Sequence, residues 1–392
     1  MKLLVYTEYF LPVPGGVQTI VLELARGLVE WSKQERDEAM EVTVVTRTRE
    51  TMNGEDTEPF RIVRCPGFWR FLRLLYNSEV VHLAGPAMLP LMLALLLRKP
   101  VVIEHHGFQA ACPNGLLFYE PAQAPCRGHF MAKRYTKCVE CNKHSVGLLK
   151  SLQALLLTHV RRWLADRAAF NITPTDWLAT ILGLRRMKTV YHGISPVSGR
   201  EIAVPAPAGS SPDFVTQFAF QGRLVSTKGV GVLLDAAERL HGANCNFQLK
   251  IMGDGPESAP LKMRAARMNG EAEFLGHVAE EKVGEAFADV SAVVMPSLGG
   301  EVFGLVAAEN MLRGKLLIVS DIGALREVVG DTGLVFPTGD AEGLAACMRE
   351  VIEKPSLAGR LGSAARVRAM HVFHRNSMIQ GHMALYRKAL LH

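Results

Sequence analysis

The sequence has little of what marks secreted or membrane-spanning proteins. Its 392 residues include seven cysteines, an odd number with no secretion signal before them, so a disulfide framework is not expected. The longest apolar stretch, 86–97, is well short of the ~20 residues that cross a bilayer. The apolar start MKLLVYTEYF is too short for a signal peptide and lacks a cleavage site. We therefore expect a cytoplasmic protein without a transmembrane helix.

Charge is modest as well. Charged residues make up 21% of the chain and the net charge is +6, which suits anionic ligands, nucleic acid or an acidic membrane without choosing among them. No basic patch with interleaved aromatic residues supports nucleic acid as a partner. The length exceeds the roughly 250–300 residues that one hydrophobic core supports, so two domains are expected.

The first half of the chain alternates strand and helix patterns. Apolar strand patterns occur at 2–10, 41–47, 60–65, 80–83 and 101–103, and Val17 to Trp31 has helical periodicity. Strands that alternate with helices imply parallel pairing, and hence an α/β fold with a doubly wound sheet. Residues 195–213 are rich in Pro, Gly and Ser, and a second series of the same kind follows them. We expect two such units facing each other across a ligand-binding cleft.

The strongest motifs lie in the second half, and the first of them suit phosphate. In GRLVSTKG (222–229), Arg223 and Lys228 lie just past a strand, where cations and helix-end amides can meet a phosphate. In IMGDGP (251–256), Gly253 and Gly255 let the backbone approach a ligand closely.

The last motif adds carboxylates. In PSLGGEVFGLVAAENM (296–311), Phe303, Gly304 and Leu305 offer backbone N–H groups at the expected start of a helix. Glu301 and Glu309 flank these amides. A carboxylate cannot bind phosphate there, but it accepts hydrogen bonds from hydroxyls, so one Glu can hold a pyranose and the other a ribose.

In this order the blocks resemble the retaining glycosyltransferases of family 4, with an E-x7-E motif at Glu301 and Glu309. The resemblance covers nearly the whole chain and implies the GT-B fold, two Rossmann-like domains. It implies an N-terminal, acceptor-side domain 1–195 that carries a cysteine-rich insert at 112–141 and is joined by the C-terminal helix 375–392. A donor-binding domain, 196–374, would complete it. The family pattern adds Val278 in FLGHV and His106 as donor-contacting residues, with His105 structural. It also implies that Gly15 and Gly16, after the first strand, contact the donor diphosphate or the acceptor.

The resemblance also implies an activity. It is transfer of a sugar, with retention, from a nucleotide sugar to a hydroxyl of a glycan, a lipid-linked or a small-molecule acceptor, as in polysaccharide biosynthesis. UDP is favoured because it is the family's commonest donor nucleotide. Arg223, Lys228 and helix-end amides would stabilise the leaving diphosphate. No D-x-D motif is present, so the sequence requires no catalytic metal. A nucleotide-sugar hydrolase or epimerase, or a non-catalytic nucleotide-sugar-binding protein, stays an alternative.

A cysteine cluster falls within one thirty-residue stretch, at Cys112, Cys126, Cys138 and Cys141, and it ends in C-x2-C. Such a turn lets two thiolates hold one metal ion, so a structural zinc is one interpretation. Reduced thiols or oxidised pairs are the other.

Two amphipathic segments could lie on an anionic membrane. GFWRFLRLLY (67–76) mixes aromatics, leucines and arginines, and 148–170 is longer. For the longer segment the preferred interpretation is a helix that packs its leucines in the core and leaves its arginines in solvent. Peripheral attachment to the inner face of the membrane is the alternative.

Overall fold

The computed structural model describes residues 1–34, 40–194, 215–268 and 270–391. They form two compact units. The first comprises Met1–Leu116, Gly128–Gly193 and Phe373–His392, and the second comprises Leu117–Arg127 and Ile194–Val372. The predicted linker 195–213 and the predicted boundary at 195/196 lie outside the described residues.

The first half of the chain forms nine strands and six α-helices in its described part. In chain order they are β1 Lys2–Thr7, α1 Gly16–Gln34, β2 Glu41–Thr46, β3 Arg61–Arg64, α2 Phe68–Asn77, β4 Val80–Ala84, α3 Met88–Leu96, β5 Val101–Glu104, β6 Phe118–Tyr119, β7 Ala124–Pro125, α4 Tyr135–Val146, α5 Leu148–Ala165, β8 Phe170–Thr173, α6 Asp176–Leu182 and β9 Met187–Thr189.

The described second half forms six strands and eight α-helices. They are β10 Thr216–Gln221, α7 Val230–Gly242, β11 Phe247–Met252, α8 Ser258–Ala265, β12 Ala272–Gly276, α9 Glu280–Ala286, β13 Ala292–Met295, α10 Leu305–Leu312, β14 Leu316–Ser320, α11 Gly323–Val329, β15 Leu334–Phe336, α12 Ala341–Glu353, α13 Ser356–Val372 and α14 Arg375–Leu390.

The sheet of the first unit is parallel, in the order β3-β2-β1-β4-β5-β8-β9. Its central strands are buried on both faces because helices cover both, and this explains why their sequences are continuous apolar runs. The order reverses between β1 and β4, and ligands of such sheets bind where the strand order reverses, beyond the carboxyl ends of the strands.

The sheet of the second unit is also parallel, in the order β12-β11-β10-β13-β14-β15. Its core joins the apolar faces of α7, α8 and α12 to the strands, with Phe218, Phe247 and Phe336 fully buried. Here the order reverses between β10 and β13. The loops after these two strands, 222–229 and 296–304, therefore emerge side by side.

The predicted elements exist, but their ends differ. The first strand ends at Thr7, three residues early, and the first helix runs from Gly16 to Gln34. α14 groups with the first unit, where it packs against α1. The cysteine-rich insert is divided: its segment Leu117–Arg127, with the antiparallel hairpin β6–β7, groups with the second unit. The family resemblance assigned all of 112–141 to the first domain, and the sequence carries no signal of such a division.

For the long amphipathic segment, the structure contradicts the preferred interpretation, in which the leucines pack in the core and the arginines lie in solvent. On α5 the apolar side chains Leu149, Leu152 and Leu156 are exposed. The side turned inward carries Ser151 and Thr158, whose hydroxyls donate to the helix's own carbonyls at 2.9 and 2.8 Å. These three leucines are therefore not core residues, whereas Leu164, near the end of the helix, is buried.

An arginine of the same helix is only partly exposed and makes hydrogen bonds within the unit. Arg162 donates to the carbonyls of Leu182 and Gly183 at 2.5 and 2.8 Å, at the end of α6. It satisfies two of the carbonyls that a helix end leaves without partners. None of the described helices is both long enough and apolar enough to cross a membrane.

Candidate active site

The loop after β10 places a cation at the switch point of the second sheet. Residues Ser226–Lys228 form a 3-10 turn and α7 begins at Val230. Between them Gly229 has φ 67°, and a Cβ there would lie 2.0 Å from the carbonyl oxygen of Pro296. Leu298 N donates to Thr227 O at 2.7 Å. The loops after β10 and β13 are thus packed backbone to backbone, which only glycine allows at this position.

Glu301 lies on the second of these loops, as predicted, and it is 6% exposed. The Lys228 ammonium forms an ion pair with its Oε1, and Ser297 Oγ donates to the same oxygen at 3.0 Å. Ser297 is itself fixed, because Ser320 Oγ donates to its carbonyl at 2.7 Å. The structure therefore joins a predicted phosphate-binding cation to a predicted sugar-binding carboxylate, and it holds the carboxylate by a polar partner on its own loop.

The predicted helix start is present beside Glu301. Gly304 caps α10 with φ 94°, and the helix runs from Leu305 to Leu312. Phe303 is buried and anchors the entry to the helix. The first N–H groups of a helix have no partner within it, so this end can meet an anion. Glu309 lies half-buried in the second turn of the helix.

The structure gives a different reason for glycine at positions 253 and 255 from the one that the sequence indicated, which was close approach to a ligand. A Cβ on Gly253, which has φ 129°, would lie 1.9 Å from Gly222 O, and one on Gly255 would lie 2.4 Å from Leu224 O. The close neighbour of both glycines is the chain's own loop after β10. These glycines shape the loop that carries Arg223 and Lys228.

A cavity of about 430 Å³ opens at the carboxyl ends of β10, β11 and β12. Its lining includes three predicted site residues, Arg223, Gly253 and Val278. It also includes His277 and Asp254, which the sequence reasoning missed. Their position in the sequence was the signal, since each lies within two residues of the end of a strand and the carboxyl ends of these strands meet at this edge. Lys228, Gly255, Glu301, Phe303, Gly304, Leu305 and Glu309 are not among the residues that line it.

The predicted residues of the first unit lie at its own sheet edge. Gly15 and Gly16 follow β1 at the start of α1 and are exposed. His106 follows β5, and its Nε2 is 3.6 Å from Glu104 Oε2. Burial lowers the pKa of His106. His105 is fully buried and contacts Asn171 Oδ1 at 2.8 Å through Nε2, and burial lowers its pKa to about 4, which fits a structural role.

The cysteines divide between the units. Cys112, Cys138 and Cys141 belong to the first, and Cys126 lies in the segment that groups with the second. Cys138 and Cys141 are one turn apart on α4, so they share a face. The Asn114 side chain accepts from Cys112 Sγ at 2.9 Å and donates to Cys141 Sγ at 3.4 Å.

The comparisons with known proteins point to one class of enzyme. Residues 216–354 match the family model described as glycosyl transferases group 1. The phosphatidyl-myo-inositol mannosyltransferase of Mycolicibacterium smegmatis is 28% identical over 93% of this chain and 88% of its own. The O-antigen chain mannosyltransferase C of Escherichia coli is 24% identical over 98% of both chains.

Solved structures show the fold. HepE from Anabaena, in complex with UDP and glucose, has a TM-score of 0.68 at 19% identity, over 98% of both chains. The sucrose-phosphate synthase of Thermosynechococcus elongatus has a TM-score of 0.70 at 18% identity, also over 98% of both. The predicted GT-B fold is thereby confirmed. With the group 1 domain and the named relatives, the chain is a glycosyltransferase of the hexosyl-transferring class.

Proposed function

We propose that this enzyme moves a hexosyl group, with retention, from a nucleotide sugar to a hydroxyl of a lipid-linked acceptor. The observation that carries the proposal is the ion pair between Lys228 and Glu301, which lie on two neighbouring loops where the strand order of the second sheet reverses. A sugar diphosphate needs these two groups as neighbours. Its phosphate needs a cation, and the adjoining hexose needs an acceptor for its hydroxyl protons.

The catalytic work falls on stabilising the leaving group. As the bond from the sugar to the diphosphate breaks, negative charge develops on the phosphate oxygens. Arg223, Lys228 and the amides at the start of α10 are the groups that stabilise it. Glu301 holds hydroxyls of the hexose and so fixes the anomeric carbon relative to the phosphate.

Retention follows from a front-face attack in this proposal. A double displacement needs a carboxylate nucleophile beneath the anomeric carbon. Glu301 suits that task poorly, because Lys228 and Ser297 both contact its Oε1. The leaving phosphate then acts as the base for the acceptor hydroxyl.

The donor is a nucleotide sugar, with UDP preferred. HepE, a neighbour in fold, was solved with UDP and with UDP-glucose. The cavity at β10, β11 and β12 offers the Arg223 cation together with Asp254 and His277 for a nucleotide. Because two relatives are named mannosyltransferases, a guanine nucleotide is the alternative that the experiment must include.

The acceptor is proposed to lie at an anionic membrane, on its cytoplasmic face. Support comes from the first unit, where α3 packs against α5 and each helix exposes an apolar row. On α3 the row is Leu89, Met92 and Leu96, and on α5 it is Leu149, Leu152 and Leu156. α2 exposes Trp69 beside Arg70. Apolar rows with nearby cations are typical of helices that lie in a membrane interface.

A structural zinc in the cysteine-rich insert is part of the proposal. Its support is that Cys138 and Cys141 share one face of α4 and that Asn114 links Cys141 to Cys112. Thiolates at these positions would hold the ion and fix the insert, with no part in the transfer.

The test is a panel of UDP-, GDP-, ADP- and dTDP-sugars. We expect one donor to raise the unfolding temperature, and the same donor to label lipid extract from the source cells in the presence of enzyme. The Lys228→Ala variant should lose both effects, whereas Lys354→Ala, a surface control on the lysine after α12, should keep them. Turnover of the donor without an acceptor would instead indicate a hydrolase or epimerase. Donor binding without any turnover would indicate a binding protein.

A further inference from the structure

A buried carboxylate surrounded by histidines lies in the first unit, outside the residues used above for transfer. Glu104, the last residue of β5, is fully buried. Its Oε2 lies 3.3 Å from His82 Nε2 and 3.4 Å from His382 Nε2. His106 Nε2 and His192 Nδ1 each lie 3.6 Å from the same carboxylate. An ionised carboxylate at such depth is costly unless something compensates its charge.

These contacts are longer than strong hydrogen bonds to a charged group. Charge-assisted N–H···O bonds measure about 2.7–2.9 Å. Within the described part of the chain, no hydrogen-bond partner reaches His82 Nε2, His382 Nε2 or either oxygen of Glu104. By contrast, ligand atoms placed tetrahedrally at about 2.0–2.1 Å from a zinc ion lie roughly 3.3–3.4 Å from one another. The distances from Glu104 to His82 and His382 match that spacing.

A hydrogen bond to the backbone fixes which ring nitrogen of His382 carries a proton. Its Nδ1 lies 2.9 Å from the carbonyl oxygen of Met378. A carbonyl only accepts, so Nδ1 carries a proton, and in the singly protonated ring the Nε2 lone pair points at Glu104 Oε2. A lone pair that faces a carboxylate oxygen at 3.4 Å is repulsive unless a cation lies between them. That cation is either a proton on Nε2 or a metal ion.

The hydrogen bonds of the ring nitrogens that face away from Glu104 favour the metal ion. Histidines that bind a metal usually place the other ring nitrogen in a hydrogen bond that fixes the ring. His382 does so through Met378 O, and His82 Nδ1 lies 2.9 Å from the Tyr386 hydroxyl. Tyr386 is itself fully buried. His82, Glu104 and His382 can present their ligand atoms within 4.8 Å of one another.

We propose that His82, Glu104 and His382 bind a divalent transition metal ion, with Zn²⁺ as the best match. Two imidazole nitrogens and one carboxylate oxygen are a known donor set for zinc, which takes a fourth ligand. His106 and His192 form a separate group around the same carboxylate, so the fourth ligand of the ion is left to a water molecule. The ion joins β4 and β5 to α14, a helix that follows these strands almost three hundred residues later in the sequence. It therefore ties the C-terminal helix to the first sheet, independently of the transfer reaction.

The first experiment is metal analysis of protein grown with added zinc. Because the cysteines are proposed to hold a separate ion, the Cys138→Ser/Cys141→Ser variant removes that contribution. We expect two zinc ions per wild-type chain, one in the cysteine variant and none when His382→Gln is added. The matched control in the same background is His371→Gln, an exposed histidine of the second unit, which should keep one ion.

Cobalt substitution gives a second measurement that does not depend on the cysteine variant folding. Thiolate-to-cobalt charge-transfer bands arise only from cysteine ligands. We expect wild-type protein to take up a second equivalent of Co²⁺ that adds d–d bands in the visible range but no further thiolate-to-cobalt charge-transfer bands. His382→Gln should remove that equivalent. A chelator should lower the unfolding temperature of the cysteine variant more than that of the same variant with His382→Gln.

Three results would overturn the proposal. One is a folded cysteine variant without metal. Another is a cobalt titration of the wild type that ends with cysteine ligation alone. The third is an NMR spectrum in which His382 carries protons on both ring nitrogens, since a proton would then supply the missing cation. None of these results bears on sugar transfer, which the donor panel tests separately.

Discussion

At the scale of single residues, Glu301 carries the sharpest prediction. Glu301→Ala removes the acceptor of the hexose hydroxyls, so kcat/KM for transfer should fall by roughly 100-fold or more. Affinity for the free nucleoside diphosphate should persist, because a carboxylate does not bind phosphate and Lys228, released from its ion pair with Glu301, remains available to it. Kinetics together with calorimetry of diphosphate binding measure the two effects. Glu350→Ala, on the surface of α12, is the control.

Gly253 is predicted to be a structural requirement of the same site. In Gly253→Ala the new Cβ would meet Gly222 O, and the backbone has φ 129°, so we expect a loss of about 3 kcal/mol in unfolding free energy. Gly231→Ala is the matched change. It lies in the first turn of α7 with nothing within 4 Å of the new Cβ, and should gain about 0.4–1 kcal/mol because the unfolded chain loses conformational freedom. Equal denaturation midpoints for the two variants would refute this explanation.

Lys315 should make stability depend on pH. It is 3% exposed, donates to Val290 O at 2.9 Å, and burial lowers its pKa to about 8. The unfolded lysine has a pKa near 10.4, so between these values the unfolded chain holds more protons than the folded one. Stability contributed by this site must then rise as pH rises through that window.

Comparison with Lys315→Met isolates the effect. Between pH 7 and pH 10.5, wild type should gain roughly 3 kcal/mol relative to the variant in urea unfolding. Met348→Leu, a core change in α12 that leaves every titratable group in place, should instead follow the wild-type profile. A constant difference between wild type and Lys315→Met would show that the ammonium is not penalised by burial.

Much of the residue-level site could be predicted from the sequence, and for a physical reason. Loops at strand ends can be recognised in the sequence by their glycines and by the apolar runs on either side. Polar residues in these loops, such as Lys228 and Glu301, are therefore predicted to lie at the site. The Glu104 cluster could not be found in this way. His82 and His382 lie three hundred residues apart, and only the docking of α14 brings them to one carboxylate.

At the scale of elements, α5 shows why a pattern can mislead. Its leucines follow helical spacing, which predicts one apolar face but does not say what covers it. The structure turns Ser151 and Thr158 inward and leaves Leu149 83% exposed. Helix periodicity fixes which residues share a face, and tertiary packing decides which face is buried.

This exposed face gives the prediction for membrane binding. The double variant Leu149→Glu/Leu156→Glu should reduce sedimentation with vesicles of anionic phospholipid by at least about 10-fold, since each buried leucine contributes roughly 1.5–3 kcal/mol. Stability should change little, because both side chains are exposed. The control, Met263→Glu/Val367→Glu, alters two exposed apolar side chains of the second unit and should bind vesicles like wild type. Unchanged binding by the α5 variant would remove this helix from the proposed interface.

At the scale of the whole molecule, two parallel sheets could be predicted because strand and helix patterns alternate along the chain. The grouping of Leu117–Arg127 with the second unit could not, since contacts distant in sequence determine it. The same holds for the acceptor. The donor side consists of motifs that recur in order, whereas acceptor recognition depends on surfaces that have no fixed pattern.

The central claim is retaining transfer from a nucleotide sugar, and one measurement tests it most directly. The donor identified by the panel, with its sugar in the α configuration, is incubated with enzyme and acceptor, and NMR reads the anomeric proton of the first product formed. Front-face attack with Glu301 holding the hexose predicts an α-linked product. A β-linked product, or release of free sugar in place of transfer, would contradict the account.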